Sequence, residues 1–222
     1  MKPVVIIGAG GFAREVLDVI DAINAERKQY DMLGYIVDPQ YGAPGILIND
    51  KPILGGFDWL ENHSAEVFVT CGVGPSHHRY RLVRRAEAAG CRFFSIIHPM
   101  VRVTRWVQLG EGAIITAGCI LTNQIHIGNH VHLNLDCTIG HDVIIEDFVT
   151  LAPGVHVSGH VRLGEGAYVG TGANLIERLR IGEWSIIGAG STAVKDVPAD
   201  TTVVGVPAKV IREHAKGWHL EG

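Results

Sequence analysis

From Ile97 to Pro198 the chain places an aliphatic residue every six positions: Ile97, Val103, Leu109, Ile115, Leu121, Ile127, and onward in the same steps to Ile187 and Ala193. Four residues after each anchor stands a second, smaller series, running from Val101 and Val107 through Cys119 and Cys137 to Ser191 and Val197. A helical period of 3.6 would smear such a repeat around every face, and a strand period of two would leave no fixed place for the polar and glycine pairs between anchors. Six residues fit one short strand and one turn. Gly110, Gly128, Gly164 and Gly182 directly follow their anchors, with Glu146 completing the series, so a period of eighteen overlies the six. Three hexapeptides then make one coil. Stacked coils bury a continuous aliphatic column that no single coil could bury. The seventeen hexapeptides predict a parallel β-helix of between five and six coils.

Before residue 97 the pattern changes. Pro3 to Ile7 is an apolar strand, followed by Gly8-Ala9-Gly10-Gly11-Phe12-Ala13 and an amphipathic run to about Glu26. Gly8, Gly10 and Ala13 satisfy the G-x-G-x-x-G/A form, whose glycines permit a tight turn and bring helix-start N–H groups toward a phosphate. A second strand, Met32 to Val37, ends at Asp38, where a dinucleotide fold carries its ribose-binding carboxylate. Val67 to Cys71 reads as a third strand, Ser76 as the cap of a helix running to about Ala89, and Arg92 to Ile97 as a fourth strand feeding the repeat. This alternation predicts a small parallel sheet of Rossmann type over residues 1–96, followed by the β-helix over 97–222. About 95 residues is half a full dinucleotide fold, which favours another nucleotide, such as a nucleotide-sugar, over NAD or FAD. A tight turn that only packs the first helix is the bland alternative.

Composition narrows the class. A net charge of −4 gives no electrostatic case for nucleic acid or an anionic membrane. The apolar run Val4 to Ile7 is too short for a signal or a span, so a cytoplasmic protein is expected. Cys71, Cys91, Cys119 and Cys137 lack the paired spacing of a zinc site and read as small buried hydrophobes in a reducing compartment.

Six of the twelve histidines fall in the middle of the repeat: His126, His130, His132, His141, His156 and His160. Most are expected at the surface. Counting in sixes puts His141 and Asp142 in an outward turn; counting in eighteens stacks Asn123 and Gln124 on one side and Gly159 and His160 on the other, at about 4.8 Å. A histidine beside a carboxylate is an oriented proton acceptor, and the Gly159 N–H could face a developing oxyanion. A metal-dependent hydratase of carbonic anhydrase type, with ligands among His126, His130, His132, His156 and His160, is a rival that the spacing does not favour. A non-catalytic nucleotide-binding protein is another.

Three segments carry a resemblance: Ile6 to Glu15, Leu133-Asn134 leading into Ile139-Gly140-His141-Asp142, and the ending Val204-Gly205-Val206-Pro207-Ala208-Lys209. Over almost its whole length the chain resembles the sugar O- and N-acyltransferases that join a short Rossmann-like domain to a left-handed β-helix. These include sialic acid O-acetyltransferases and the N-acetyltransferases of bacillosamine and perosamine biosynthesis. The resemblance implies acetyl transfer from acetyl-CoA to an amino or hydroxyl group of a sugar; the His141 turn itself leads us to expect direct transfer, with no metal and no serine or cysteine nucleophile. It implies a homotrimer with active sites at subunit boundaries. His141 matches the general base and Asp142 its acidic support. Asn134 is placed at the acceptor, and Gly10, Gly11, Phe12 and Asp38 at the nucleotide-sugar. Gly159, Thr150, Thr171, Ala189 and Lys209 fall on the CoA side. Some members carry histidine at the positions of Thr150 and Phe12, so these two residues bear on which acceptor is used.

Overall fold

A computed structural model describes residues 1–221. The N-terminal part contains β1 (Lys2–Ile7), α1 (Gly11–Glu26), β2 (Tyr30–Ile36), β3 (Leu47–Ile48), β4 (Lys51–Gly55), α2 (Phe57–His63), β5 (Phe68–Cys71), α3 (Ser76–Ala88) and β6 (Arg92–Phe93). Its sheet runs β3-β4-β2-β1-β5-β6, parallel throughout except for the β3–β4 hairpin. Val4 to Ile7 of β1 are buried on both faces, which is why that strand reads as an unbroken apolar run. In α1, Ala13, Val16, Leu17, Ile20 and Ile23 recur at helical spacing and seat the helix on the sheet.

Two details differ from expectation here. The segment Arg92 to Ile97 is not one strand: β6 closes the first sheet, and β7 (Ile96–Ile97) pairs with Ile114–Ile115 as the first rung of the β-helix. Ser76 is not the cap of α3 either; Pro75 holds that position, and the Ser76 hydroxyl donates instead to Thr150 Oγ1 at 3.2 Å. The β3–β4–α2 segment carries no expectation in the sequence pattern.

From β7 onward the chain is a left-handed parallel β-helix. Strands two or three residues long pair with the residue eighteen positions on, as in Ile96↔Ile114, His132↔Thr150 and Thr150↔Tyr168. The anchors from Ile115 to Ile187 and the smaller series from Ala113 to Leu179 fill the interior of the prism as one core. Each hexapeptide turns in the same way. Fourteen positions in steps of six, from Gly112 to Gly190, all have a left-handed backbone, and eight of them are not glycine: Gln124, His130, Asp136, Asp142, Phe148, His160, Arg178 and Trp184. Stacking with the coils on either side holds these residues in a conformation a side chain disfavours.

The repeat is less perfect at its ends than its spelling suggests. Val103 is 38% exposed in a stretch without regular structure, because the first coil has a neighbour on only one side. At the other end Val197 bridges Ile181 and Thr202 pairs with Ile186, offsets of sixteen. Val197 has therefore moved into the anchor register. Asp196 Oδ1 takes the Arg180 N–H at 2.8 Å, and Pro198 has no N–H to continue the ladder. A hairpin of Thr201–Gly205 and Ala208–Glu213 follows, and Trp218–Leu220 forms a last helical turn.

Candidate active site

The three corners of the prism carry different chemistry. One corner holds His130, Phe148 and Trp184 and receives α3. His130 stacks on Phe148 at 5.1 Å, and Tyr80 of α3 meets the edges of Phe148 and Trp184. Arg79, wholly buried, fastens this junction. Its guanidinium donates to the carbonyls of Val73, Gly74, His130, Phe148 and Val149, to Thr150 Oγ1, and to His132 Nδ1 at 3.0 Å. Among the described residues, no carboxylate faces it. Burial lowers the arginine to about 10, and burial together with the adjacent guanidinium holds His132 well below its ordinary range and His130 at about 4. His130 and His132 are therefore neutral core residues, not surface ones.

The second corner carries His141. Its Nδ1–H donates to Asp142 Oδ2 at 2.7 Å, leaving Nε2 as the basic nitrogen. The Asp142 backbone is left-handed, with φ +59°, which turns its side chain back to the preceding ring. One coil on, the Gly159 backbone lies against the Cε1–Nε2 edge of the imidazole: a Cβ there would stand 2.8 Å from both atoms. Among the described residues, the Gly159 N–H donates to no other group of the chain. His160 completes the group, with Nε2 at 3.8 Å from Asp142 Oδ2 and its ring edge-on to His141 at 5.0 Å. A proton acceptor, a carboxylate that orients it and an N–H donor from the next coil thus share one corner of the prism.

The remaining residues on the CoA side lie elsewhere. Thr171 and Ala189 stack on the third corner, where the Gly190 N–H donates to Thr171 O at 2.8 Å. Lys209 is exposed on the C-terminal hairpin opposite Val204. Thr150 does not join the His141 turn. It is buried between the domains, where its hydroxyl donates to Gly74 O at 2.9 Å and accepts from Arg79 and Ser76. Asn134 is also drawn inward, its Nδ2 donating to Leu151 O at 2.7 Å.

At the C-terminal ends of β1 and β2 a cavity of about 850 Å³ opens beside the glycine turn. Gly8, Gly10 and Asp38 line it, together with Tyr41, Phe57, His77, His78, Arg81, Trp218 and Glu221. Gly8 has φ +94°, and a Cβ on it would come 2.9 Å from Val73, so the turn demands glycine. The Asp38 carboxylate accepts from Arg85 at 3.2 Å. Gly11 is the first residue of α1, outside the lining, and Phe12 turns to the domain junction, where it packs on His132 at 5.0 Å. His77, His78, Arg81 and the tail residues carried no sequence signal; only the fold brings them to the turn. Burial, then His78, Arg81 and His219, lower His77 to about 4.

Among the described residues, His141, Asp142 and His160 are the one group of three metal-ligating side chains close enough to share an ion. His126 and His156, by contrast, are exposed on separate strands and hydrogen-bonded to Gln108 and Thr138. All four cysteines are free, and among the described residues no helix is long and apolar enough to cross a membrane.

Comparison with known proteins matches residues 3–86 to the PglD N-terminal domain. A GDP-perosamine N-acetyltransferase of Escherichia coli O157:H7 is 29% identical over 168 residues, 76% of this chain and 75% of that protein. The structure of PerB from Caulobacter crescentus in complex with CoA and GDP-perosamine superposes with a TM-score of 0.86 at 29% identity, covering 96% of this chain and 98% of that one. WeeI from Acinetobacter baumannii AYE does so at 0.84 and 30%, covering 95% and 100%. With a PglD-type domain, a hexapeptide prism and likeness along both chains, this protein belongs to the sugar acyltransferases that join a small Rossmann-like domain to a left-handed β-helix, an acetyltransferase family.

Proposed function

We propose that the chain transfers an acetyl group from acetyl-CoA to an amino group on a nucleotide-linked sugar, with His141 as general base. The observation that carries this reading is the His141–Asp142 pair, with Nε2 of His141 lying against the Gly159 backbone. Nε2 takes a proton from the acceptor nitrogen as that nitrogen attacks the thioester carbonyl. Asp142 steadies the imidazolium. The Gly159 N–H donates to the oxyanion, the C–S bond breaks, and the proton passes to the departing thiolate. Ser158 flanks Gly159, but among the described residues its hydroxyl meets no base, which supports direct transfer over an acyl-serine. The names and ligands of the E. coli and C. crescentus relatives support a nitrogen acceptor on a GDP-linked sugar and CoA as the carrier.

Thr171, Ala189 and Lys209 lie away from the His141 corner of the same chain, which fits a CoA groove formed between the corners of neighbouring prisms in a homotrimer. The cavity at Gly8, Gly10 and Asp38 takes the nucleotide. A cytoplasmic setting fits both co-substrates. An acetyl-CoA consumption screen over GDP-, UDP- and CMP-linked amino sugars and free sialic acids tests the reading. Turnover on a nucleotide-linked amino sugar is expected. Turnover lost to chelators, or none on any of these acceptors, would contradict it.

A further inference from the structure

Asp142 has two imidazoles within reach. Its Oδ2 lies 2.7 Å from Nδ1 of His141 and 3.8 Å from Nε2 of His160, and one ligand atom from each of the three side chains falls within 4.8 Å of the others. Asp142 and His160 stand one coil apart, both with a left-handed backbone of φ +59°. The repeat thus delivers the second histidine to the carboxylate by stacking, and acetyl transfer by His141 leaves that histidine without a role.

Two imidazole nitrogens and a carboxylate oxygen make a donor set that suits zinc, whose sites with three protein ligands keep a fourth position for water. Ligand atoms bound tetrahedrally at zinc distances stand about 3.3 Å apart, and the two observed separations bracket that value. The side chains of His141, Asp142 and His160 are 61%, 41% and 48% exposed, so each turns through the remaining few tenths of an ångström without disturbing the prism. The neighbouring coils do not cancel the Asp142 charge. On one side stand Asn123, whose carbonyl accepts the Asp142 N–H, and Gln124, both uncharged; on the other, Glu177 and Arg178 offset one another.

We propose that His141, Asp142 and His160 form a binding site for a zinc ion, and that the bound ion shuts off acetyl transfer. The ion replaces the proton held between Nδ1 of His141 and Oδ2 of Asp142, with Nε2 of His160 as third ligand and water as fourth. A neutral imidazole that gives Nδ1 to a metal carries its proton on Nε2, so the displaced Nδ1 proton ends there by way of solvent. Nε2 is then a donor and takes no proton from the acceptor nitrogen. The ion is an inhibitor and not a cofactor. Its effect on the rate rests on the reading of His141 as general base; its binding does not.

Isothermal titration of Zn²⁺ into wild type and His160→Asn, with the visible spectrum of Co²⁺ added to wild type, tests the site. Acetyl-CoA consumption on the amino sugar that the screen identifies, with Zn²⁺ titrated in, tests the effect. Asparagine tolerates a left-handed turn, so the variant should fold; if it melts early, His160→Gln serves, since Gln124 occupies such a turn in the same series. Wild type should bind one Zn²⁺ per chain at a site that the variant fills about ten-fold more weakly or worse, and Co²⁺ should give the strong visible bands of a four-coordinate ion. Half-inhibition, referred to each protein's own metal-free rate, should need about ten-fold more Zn²⁺ in the variant, and EDTA should restore the wild-type rate. Equal zinc affinity in wild type and variant, or Co²⁺ without those bands, would overturn the site and leave the acetyl-transfer reading untouched. Zinc held at this site with no loss of rate would overturn the inhibition, and His141 as general base with it.

Discussion

His141 lies with its Cε1–Nε2 edge on the Gly159 backbone, so close that a Cβ at Gly159 would stand 2.8 Å from both ring atoms. Eighteen residues separate them in sequence, and one coil in space. Gly159→Ala should push the ring off its position while keeping the N–H. A displacement of about an ångström at a reacting group costs on the order of 10² in rate. Steady-state kinetics should show that loss in kcat/KM with CoA affinity retained.

Asp142→Asn is the complementary change. Asparagine tolerates the left-handed backbone of this turn, so the fold should hold. Without a carboxylate to orient the ring and balance the imidazolium, kcat should fall roughly 10- to 100-fold, less than on loss of the base itself. A variant equal to wild type would remove Asp142 from the mechanism.

Arg79 makes a prediction about stability. Replacing it with leucine would strand carbonyls of Val73, Gly74, His130, Phe148 and Val149 in the domain junction, together with the Thr150 hydroxyl. Breaking a buried charged network of this kind costs about 3–5 kcal/mol. Denaturant unfolding should show a lower midpoint, with the N-terminal domain losing its contact with the prism.

The acid limb of stability follows from three histidines. His77 and His130 are lowered from the ordinary 6.5 to about 4, each chiefly by burial, and burial also holds His132 well below its ordinary range. Each ring binds a proton more weakly folded than unfolded. Their stabilising effect is therefore complete above about pH 6.5 and is lost as pH falls toward 4. Urea midpoints measured from pH 7.5 to 4.5 should decline across that window; a flat profile would mean that these rings protonate freely in the folded state.

Much of this was legible in the chain because one physical constraint repeats. A six-residue period is enough to place His141, Asp142 and Gly159 by counting, since each coil must return its anchor to the same column. The counting fails where neighbours run out: Val103 loosens at the first coil, and Val197 slips register at the last. Thr150 and Asn134 show a second limit. Position in the repeat indicates which strand a residue occupies, but not that Arg79, from another domain, arrives to bond the Thr150 hydroxyl, or that the Asn134 amide turns in to Leu151 O. Trp218 and Arg81 show a third. Their meeting at the cavity depends on a tail crossing between domains, and no local pattern encodes such a contact.

The account turns on acetyl transfer by His141, and the direct measurement is single-turnover acetylation of the nucleotide-linked amino sugar that the screen identifies, by wild type and His141→Ala, with acetyl-CoA binding measured in parallel. The alanine variant should bind acetyl-CoA as wild type does and transfer the acetyl group about 10²–10⁴ times more slowly. Transfer at the wild-type rate by that variant would contradict it.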